Sequence, residues 1–325
     1  MEAEYAEKNL THRTFPIRTK SELSLKIYKA LPKIIQWIRQ EKIDLIHAHT
    51  RITQVMALWI RWLTGVPFIT TSHGFYKPRL GRRILPAWGD RVVAISEPVG
   101  HHLRDVFHVR PEKIRIVYNG IDIPEFVERF SRHNPAEVRL DYKIPEKAYV
   151  VGATARLVAD KGHEYLIRAI KQLESEIPDL FLVIVGDGRY RTYLEKLVNN
   201  LKMTGKVLFT GSLKDVSKPL AAMDIFVLPA IWREGFGLSI AEAMACRKPV
   251  IVTNIWALNT LVQNRINGML VEPRNVDDLA GAIRLLMKDT VFRESIGTAG
   301  QRTAQLQFSL DRMVQELEKI YEEMV

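Results

Sequence analysis

Residues 234–242 read Glu234-Gly235-Phe236-Gly237-Leu238-Ser239-Ile240-Ala241-Glu242, a loop running into a helix with a glutamate at each end. Gly235 and Gly237 permit a tight turn and close approach of backbone to a ligand. The pattern from Leu238 onward is helical, so the amides of Gly237, Leu238 and Ser239 are free donors at the positive end of a helix dipole. Such a helix start binds phosphate. Glu242 falls one turn inside, on a face that could reach a ribose, and Glu234 stays in the loop, where it can accept from sugar hydroxyls. Taken alone, the stretch also fits a helix start with two incidental acids.

Upstream, Gly152-Ala153-Thr154-Ala155-Arg156-Leu157-Val158-Ala159-Asp160-Lys161-Gly162 lies between a strand and a helix, the place where open parallel sheets bind ligands. Arg156 and Lys161 can neutralise a diphosphate and the charge that builds on it as a leaving group. They also fit as solvated loop cations. Gly186-Asp187-Gly188 again follows an apolar strand, though a plain turn explains it as well.

Short apolar runs alternate with helical stretches along the whole chain, which predicts α/β architecture with parallel sheets. Strands are expected at 43–47, 67–71, 91–95 and 114–117, with a weaker one at 14–17. Helices are expected at 23–40, 53–63 and 98–107, the first kinked or split at Pro32. A second series holds strands at 148–153, 179–185, 207–209, 225–228, 249–252 and 268–271, and helices starting at His163, Tyr190 and Leu238. Helices at 276–288 and 309–324 close the chain. The polar stretch 125–147 has few strand signals and reads as irregular. This predicts a first domain over 1–125, a linker over 126–147, a second domain over 148–306, and a final helix over 307–325 that could cross back to the first domain.

The 325 residues are 47% hydrophobic and 26% charged, ordinary for globular domains and enough for two cores. With Cys246 as the single cysteine, no internal disulfide can form. No signal peptide is read at 1–8 and no run reaches the roughly 18 apolar residues of a membrane span. A cytoplasmic protein is expected, soluble or peripheral at the inner face of the cytoplasmic membrane. The net charge is +10, and residues 1–145 hold 24 Lys and Arg against 15 Asp and Glu. The basic first half therefore favours an anionic partner such as a membrane surface or glycolipid. No recognition motif accompanies the charge, so nucleic acid is not expected.

Jointly and in this order, Arg156 with Lys161-Gly162, Gly186-Asp187-Gly188, Phe209-Thr210-Gly211, Asp224-Ile225-Phe226-Val227-Leu228-Pro229 and the paired glutamates resemble the family 4 glycosyltransferases. The resemblance implies the GT-B fold, two Rossmann-like domains facing across a cleft, and transfer with retention from a nucleotide sugar. It implies that Arg156 and Lys161 hold the pyrophosphate, Glu234 contacts the transferred sugar, Glu242 binds ribose, and Leu213 and Lys214 lie near the base. Gly186, Asp187, Gly188, Gly235, Phe236, Gly237, Leu238 and Ser239 complete the expected donor site. In the first half, Ile43-Asp44-Leu45-Ile46-His47-Ala48-His49, Thr70-Thr71-Ser72-His73-Gly74 and Tyr118-Asn119-Gly120-Ile121-Asp122 match family segments. His73 is the expected contact to sugar or phosphate. His47, His49 and His73 together also raise a metal site, but no cysteine or carboxylate cluster supports one.

Arg79, Arg82 and Arg83 could grip an anionic acceptor, or belong to a solvated loop. The helix over 23–40 could dock on a membrane, although packing on a sheet is favoured. No cofactor and no metal are expected; the substrate is a nucleoside-diphosphate sugar, a UDP-sugar before a GDP-sugar, and the acceptor a glycolipid or saccharide. Envelope polysaccharide or lipopolysaccharide synthesis is the expected setting. Two departures temper this. The family's opening strand and glycine-rich loop have no counterpart before Thr14, and the stretch 255–268 lacks the usual Gly-Gly pair and glutamate. A non-catalytic nucleotide-sugar-binding protein and a sugar-nucleotide epimerase of the same fold remain rival readings.

Overall fold

The computed structural model describes residues 11–19, 21–22 and 24–325. The readings placed on residues 1–10 and on Leu23 lie outside them. Among the described residues ten parallel strands form two separate sheets, ordered β1-β2-β3-β4 and β10-β9-β8-β5-β6-β7. They are β1 Ile46–Ala48, β2 Phe68–Ser72, β3 Arg91–Ala94, β4 Ile114–Ile116, β5 Tyr149–Thr154, β6 Leu180–Val185, β7 Val207–Gly211, β8 Ile225–Leu228, β9 Val250–Thr253 and β10 Met269–Val271. The chain divides into two compact units, one of Met1–Ala94, Gly100–Ile116 and Glu318–Val325, the other of Ile95–Val99 and Val117–Leu317.

In the first unit the helix Leu25–Gln40 buries Ile27, Leu31, Ile34 and Ile38, the spacing of one helical face. It is one helix through Pro32 rather than two, with buried residues on both sides of the proline holding the halves together. Residues 14–17 form no strand; Phe15 and Ile17 instead pack on this helical layer. The C-terminal residues of this unit are tied in by Tyr321 on His47 and by Glu323 on Arg91 and Arg115.

In the second unit β6 is buried throughout and reads Leu-Phe-Leu-Val-Ile-Val, as expected for a strand covered on both faces. Two regions differ from expectation. The stretch read as an irregular linker holds the helices Ile123–Ser131 and Pro135–Asp141, and it belongs to the second unit. Both carry the start signals of an N-cap followed by proline: Asp122 accepts from the Glu125 amide at 3.0 Å and Asn134 from the Ala136 amide at 2.9 Å. Arg139 anchors the second of these helices on Asp224 at 2.9 Å. The second region is an 18-residue helix, Thr290–Gln307, where the sequence pattern predicts none. Its buried face includes Gly297, Gly300 and Ala304, and apolar periodicity does not detect a face made of the smallest residues.

Candidate functional site

In the second sheet β5 and β8 are neighbours, and the chain winds outward from them in opposite senses, through β6 and β7 on one side and β9 and β10 on the other. This is the switch point of a doubly wound sheet, where the loops leaving the two strands part and open a crevice at their carboxyl ends. Loop 155–162 leaves β5 and loop 229–237 leaves β8. They are joined by the Ile231 amide donating to the Asp160 carbonyl at 2.9 Å. Gly162 has φ +68°, and a β-carbon there would sit 1.9 Å from the Pro229 carbonyl oxygen, so only glycine lets the loops come this close.

At that junction the Lys161 ammonium is paired with the Glu234 carboxylate, whose side chains are 17% and 15% exposed. The other Glu234 oxygen accepts from the Gly235 amide at 3.2 Å. The loop 186–188 is fastened alongside: the Leu157 amide donates to the Asp187 carbonyl at 2.9 Å and the Tyr190 amide to the Leu157 carbonyl at 3.0 Å. The Asp187 carboxylate accepts from the Gly188 amide at 2.7 Å and faces Arg191 at 3.6 Å, so it braces its own loop. Arg156 is exposed, and its side chain has no hydrogen bond or ion pair among the described residues. Leu213 and Lys214 are exposed on the loop after the edge strand β7.

The helix Leu238–Ala245 begins at Gly237, which is in the left-handed region at φ 94° and supplies no side-chain cap. Among the described residues the amides of Leu238 and Ser239 have no acceptor, which leaves them as donors at the positive helix end. Phe236 corrects the sequence reading. Its side chain is 2% exposed, packed against the rings of Tyr118 at 5.9 Å and Phe308 at 5.4 Å. The ring anchors the glycine-rich turn and has no surface to offer a donor. A second anchor is Ser96, whose hydroxyl donates to the Gly235 carbonyl at 2.7 Å. Tyr118, Phe308 and Ser96 were not singled out from sequence for this site, because only folding brings them to the turn.

Glu242 lies one turn into that helix and is half-buried. Burial raises its carboxyl to about 7, with Arg129 pulling the other way and Asp215 adding to the rise. Arg129 itself faces Asp215 at 3.6 Å and Glu125 at 3.7 Å. This cation comes from the stretch read as a linker, and the Asp-Ile-Pro-Glu start at 122–125 was the signal that could have revealed its helix.

In the first unit the three arginines separate. Arg82 is 8% exposed and its guanidinium lies 4.1 Å from the Tyr76 ring centre, 5.0 Å from that of Trp88 and 5.8 Å from that of Phe107. It is a caged structural cation and cannot meet an acceptor. Arg79 and Arg83 stay exposed at the same short helix, Leu80–Ile84, beside Leu80 and Ile84 at 71% and 72% exposure. His47, His49 and His73 do cluster, with both His47 nitrogens at 2.7 Å from hydroxyls, Thr71 on one side and Tyr321 on the other. Among the described residues no group of three or more His, Cys, Asp or Glu could hold a metal ion, and no helix is long and apolar enough to cross a membrane.

Two parallel α/β sheets, the second with glycine loops and a helix start at its switch point, match the GT-B glycosyltransferase architecture. The profile described as Glycosyl transferases group 1 matches residues 136–303, and that described as Glycosyltransferase Family 4 matches residues 2–125. The chain belongs to the group 1 glycosyltransferases. It is 28% identical over 296 residues to the uncharacterized glycosyltransferase MJ1607 of Methanocaldococcus jannaschii, covering 86% of this chain and 75% of that one. It is 29% identical over 282 residues to the Escherichia coli UDP-Gal:alpha-D-GlcNAc-diphosphoundecaprenol alpha-1,3-galactosyltransferase, covering 82% and 72%. A crystal structure of a glycosyltransferase from Rickettsia africae superposes with a TM-score of 0.88 at 25% identity, covering 99% of this chain and 87% of that one. Anabaena Alr3699/HepE, solved in complex with UDP and glucose, shares the fold at a TM-score of 0.82 and 23% identity, covering 99% and 88%.

Proposed function

We propose that this glycosyltransferase moves a sugar, with retention, from a UDP-sugar to a hydroxyl acceptor carried on an envelope glycolipid. The observation that carries the reading is the Lys161–Glu234 pair beside the start of Leu238–Ala245 at the switch point. A diphosphate seated on the helix start would compete with Glu234 for Lys161, and Arg156 stands exposed on the same loop to join it. Glu234, released, can accept from hydroxyls of the transferred sugar. Charge building on the departing diphosphate is then stabilised by fixed cations and amides, with no metal needed. The choice of UDP and of a lipid-linked acceptor is supported by the E. coli relative's donor and diphosphoundecaprenol acceptor.

The test uses UDP as the probe. A carboxylate accepts from both ribose hydroxyls better than its neutral acid, so UDP binding should draw the Glu242 proton off. Affinity is expected to rise about tenfold from about pH 6 to about pH 8, and to lose that rise in Glu242→Gln, as read by calorimetry. UDP's own titration is common to both proteins and cancels in the comparison. Equal pH dependence in the two would remove Glu242 from the site, and no UDP binding at all would sink the reading. A folded value above the unfolded one makes this group cost stability as pH climbs from the ordinary carboxylate range to about 7. Glu242→Gln should therefore melt higher than the parent at about pH 8 and not at about pH 4.

The arginines give a separate test of the membrane partner. Arg79→Ala with Arg83→Ala is expected to weaken binding to phosphatidylglycerol vesicles with no change in melting temperature. Arg82→Ala should instead lower stability by about 2 kcal/mol through loss of the aromatic cage. Unchanged vesicle binding in the Arg79 and Arg83 variant would remove this surface from the proposal.

A further inference from the structure

β1 and β2 run parallel with Ala48 level with Thr70, which puts His49, just past β1, level with Thr71 and two residues short of His73, just past β2, on the same side of the strand. His49 Nδ1 lies 3.1 Å from His73 Nε2. The ring planes are 27° apart with centroids 5.3 Å apart, a separation that places the rings edge to edge, nitrogen facing nitrogen, rather than one over the other. Beneath them, His47 packs its ring 4.1 Å from that of His49. Burial pushes His47 down to about 3, and with both nitrogens bonded to Thr71 and Tyr321 it is a fixed neutral platform.

An N–H···N contact holds one hydrogen. If His49 donates, His73 carries its own hydrogen on Nδ1 and presents a donor. If His73 donates from Nε2, its Nδ1 is a bare acceptor. In either case the face that His73 turns outward is set by His49, whereas a lone imidazole exchanges tautomers freely. We propose that His49 is a positioning residue for His73, fixing the ring plane and tautomer with which His73 meets the substrate. The proposal rests on the reading, carried by the family resemblance, that His73 contacts sugar or phosphate. Two imidazolium ions at this separation would repel, so the pair holds at most one extra proton near neutrality. The groups around it are His47, Thr71 and Tyr321 below and Tyr76, whose hydroxyl accepts from the His73 amide at 3.4 Å. Among the described residues no carboxylate pairs with either ring.

Imidazole nitrogen NMR on the full chain tests this with three proteins: the parent, His49→Ala, and His49→Asn, whose carboxamide can replace Nδ1. In the parent and His49→Asn, His73 is expected to hold one tautomer and to titrate below the ordinary value of about 6.5. In His49→Ala it should average two tautomers, with its midpoint moved up. Transfer from the UDP-sugar that the protein turns over should fall by about tenfold to a hundredfold in kcat for His49→Ala and recover in His49→Asn, with little change in donor KM. The double variant His49→Ala with His73→Ala should be no worse than His73→Ala alone. An unchanged His73 tautomer and midpoint in His49→Ala, or losses that multiply in the double variant, would overturn the proposal. Full turnover in His73→Ala would overturn it together with the substrate contact beneath it. That case is told apart because the effect of His49 on the His73 spectrum would survive.

Discussion

Lys161→Ala is expected to lower transfer by about a thousandfold, the loss seen when a fixed charge-stabilising group is removed from a leaving-group site. Lys161 ends the short 3-10 turn Ala159–Lys161 and is followed by Gly162, so its side chain is launched from a tight, well-anchored segment. Two losses combine. The departing diphosphate keeps Arg156 and the helix amides but loses the ammonium charge that the loop holds in place. Glu234, only 15% exposed, loses the cation that holds its carboxylate in place, so its position against the sugar hydroxyls is no longer fixed. A second substitution separates the two. Lys161→Ala with Glu234→Gln should regain the melting temperature lost on breaking the pair and regain none of the activity. Steady-state transfer and thermal unfolding on the same preparations decide it. Activity of Lys161→Ala within tenfold of the parent would show that Lys161 does not stabilise the leaving group.

The second large effect is expected from Gly162→Ala, through the backbone. Gly162 has φ +68°, which costs an alanine roughly 1–2 kcal/mol by itself. Its β-carbon would also fall 1.9 Å from the Pro229 carbonyl oxygen and 3.0 Å from Ile231 Cγ2, neither of which is the end of a flexible chain. The two loops must then part, for a total cost on the order of 3 kcal/mol. Loop 229–237 carries Glu234 and the helix start, so turnover should fall with stability. Gly205 is the control: φ +89°, with nothing within 4 Å of the position a β-carbon would take. Gly205→Ala carries only the backbone cost. Urea unfolding of both variants should show Gly162→Ala as clearly the worse, and equal midpoints would refute the close-approach argument.

What was legible in advance follows from the range of the forces involved. Strand, glycine loop and helix start are written in consecutive residues, because turn geometry, capping and apolar period are local. The loops carrying Arg156, Lys161 and Gly186–Gly188 and the helix start at Leu238 could therefore be read, and the family with them. Local signals misled where the apolar face was made of glycine and alanine, as in Thr290–Gln307, or where polarity hid a capped helix, as in Ile123–Ser131.

Burial and partnership emerged with the packing of distant segments. Arg79, Arg82 and Arg83 are equivalent as letters, yet Arg82 alone turns into the cage of Tyr76, Trp88 and Phe107. Phe236 reads as part of a ligand loop and is in fact its buried anchor, held by Tyr118 and Phe308. Lys161 meets Glu234 across 73 positions because β5 and β8 are adjacent in the sheet. Consecutive residues were enough to specify where the glycine loops and the helix start fall, since that depends on a few bonded neighbours. Which charges stand paired, caged or open depends on desolvation by residues far along the chain, and only the assembled fold supplies those neighbours.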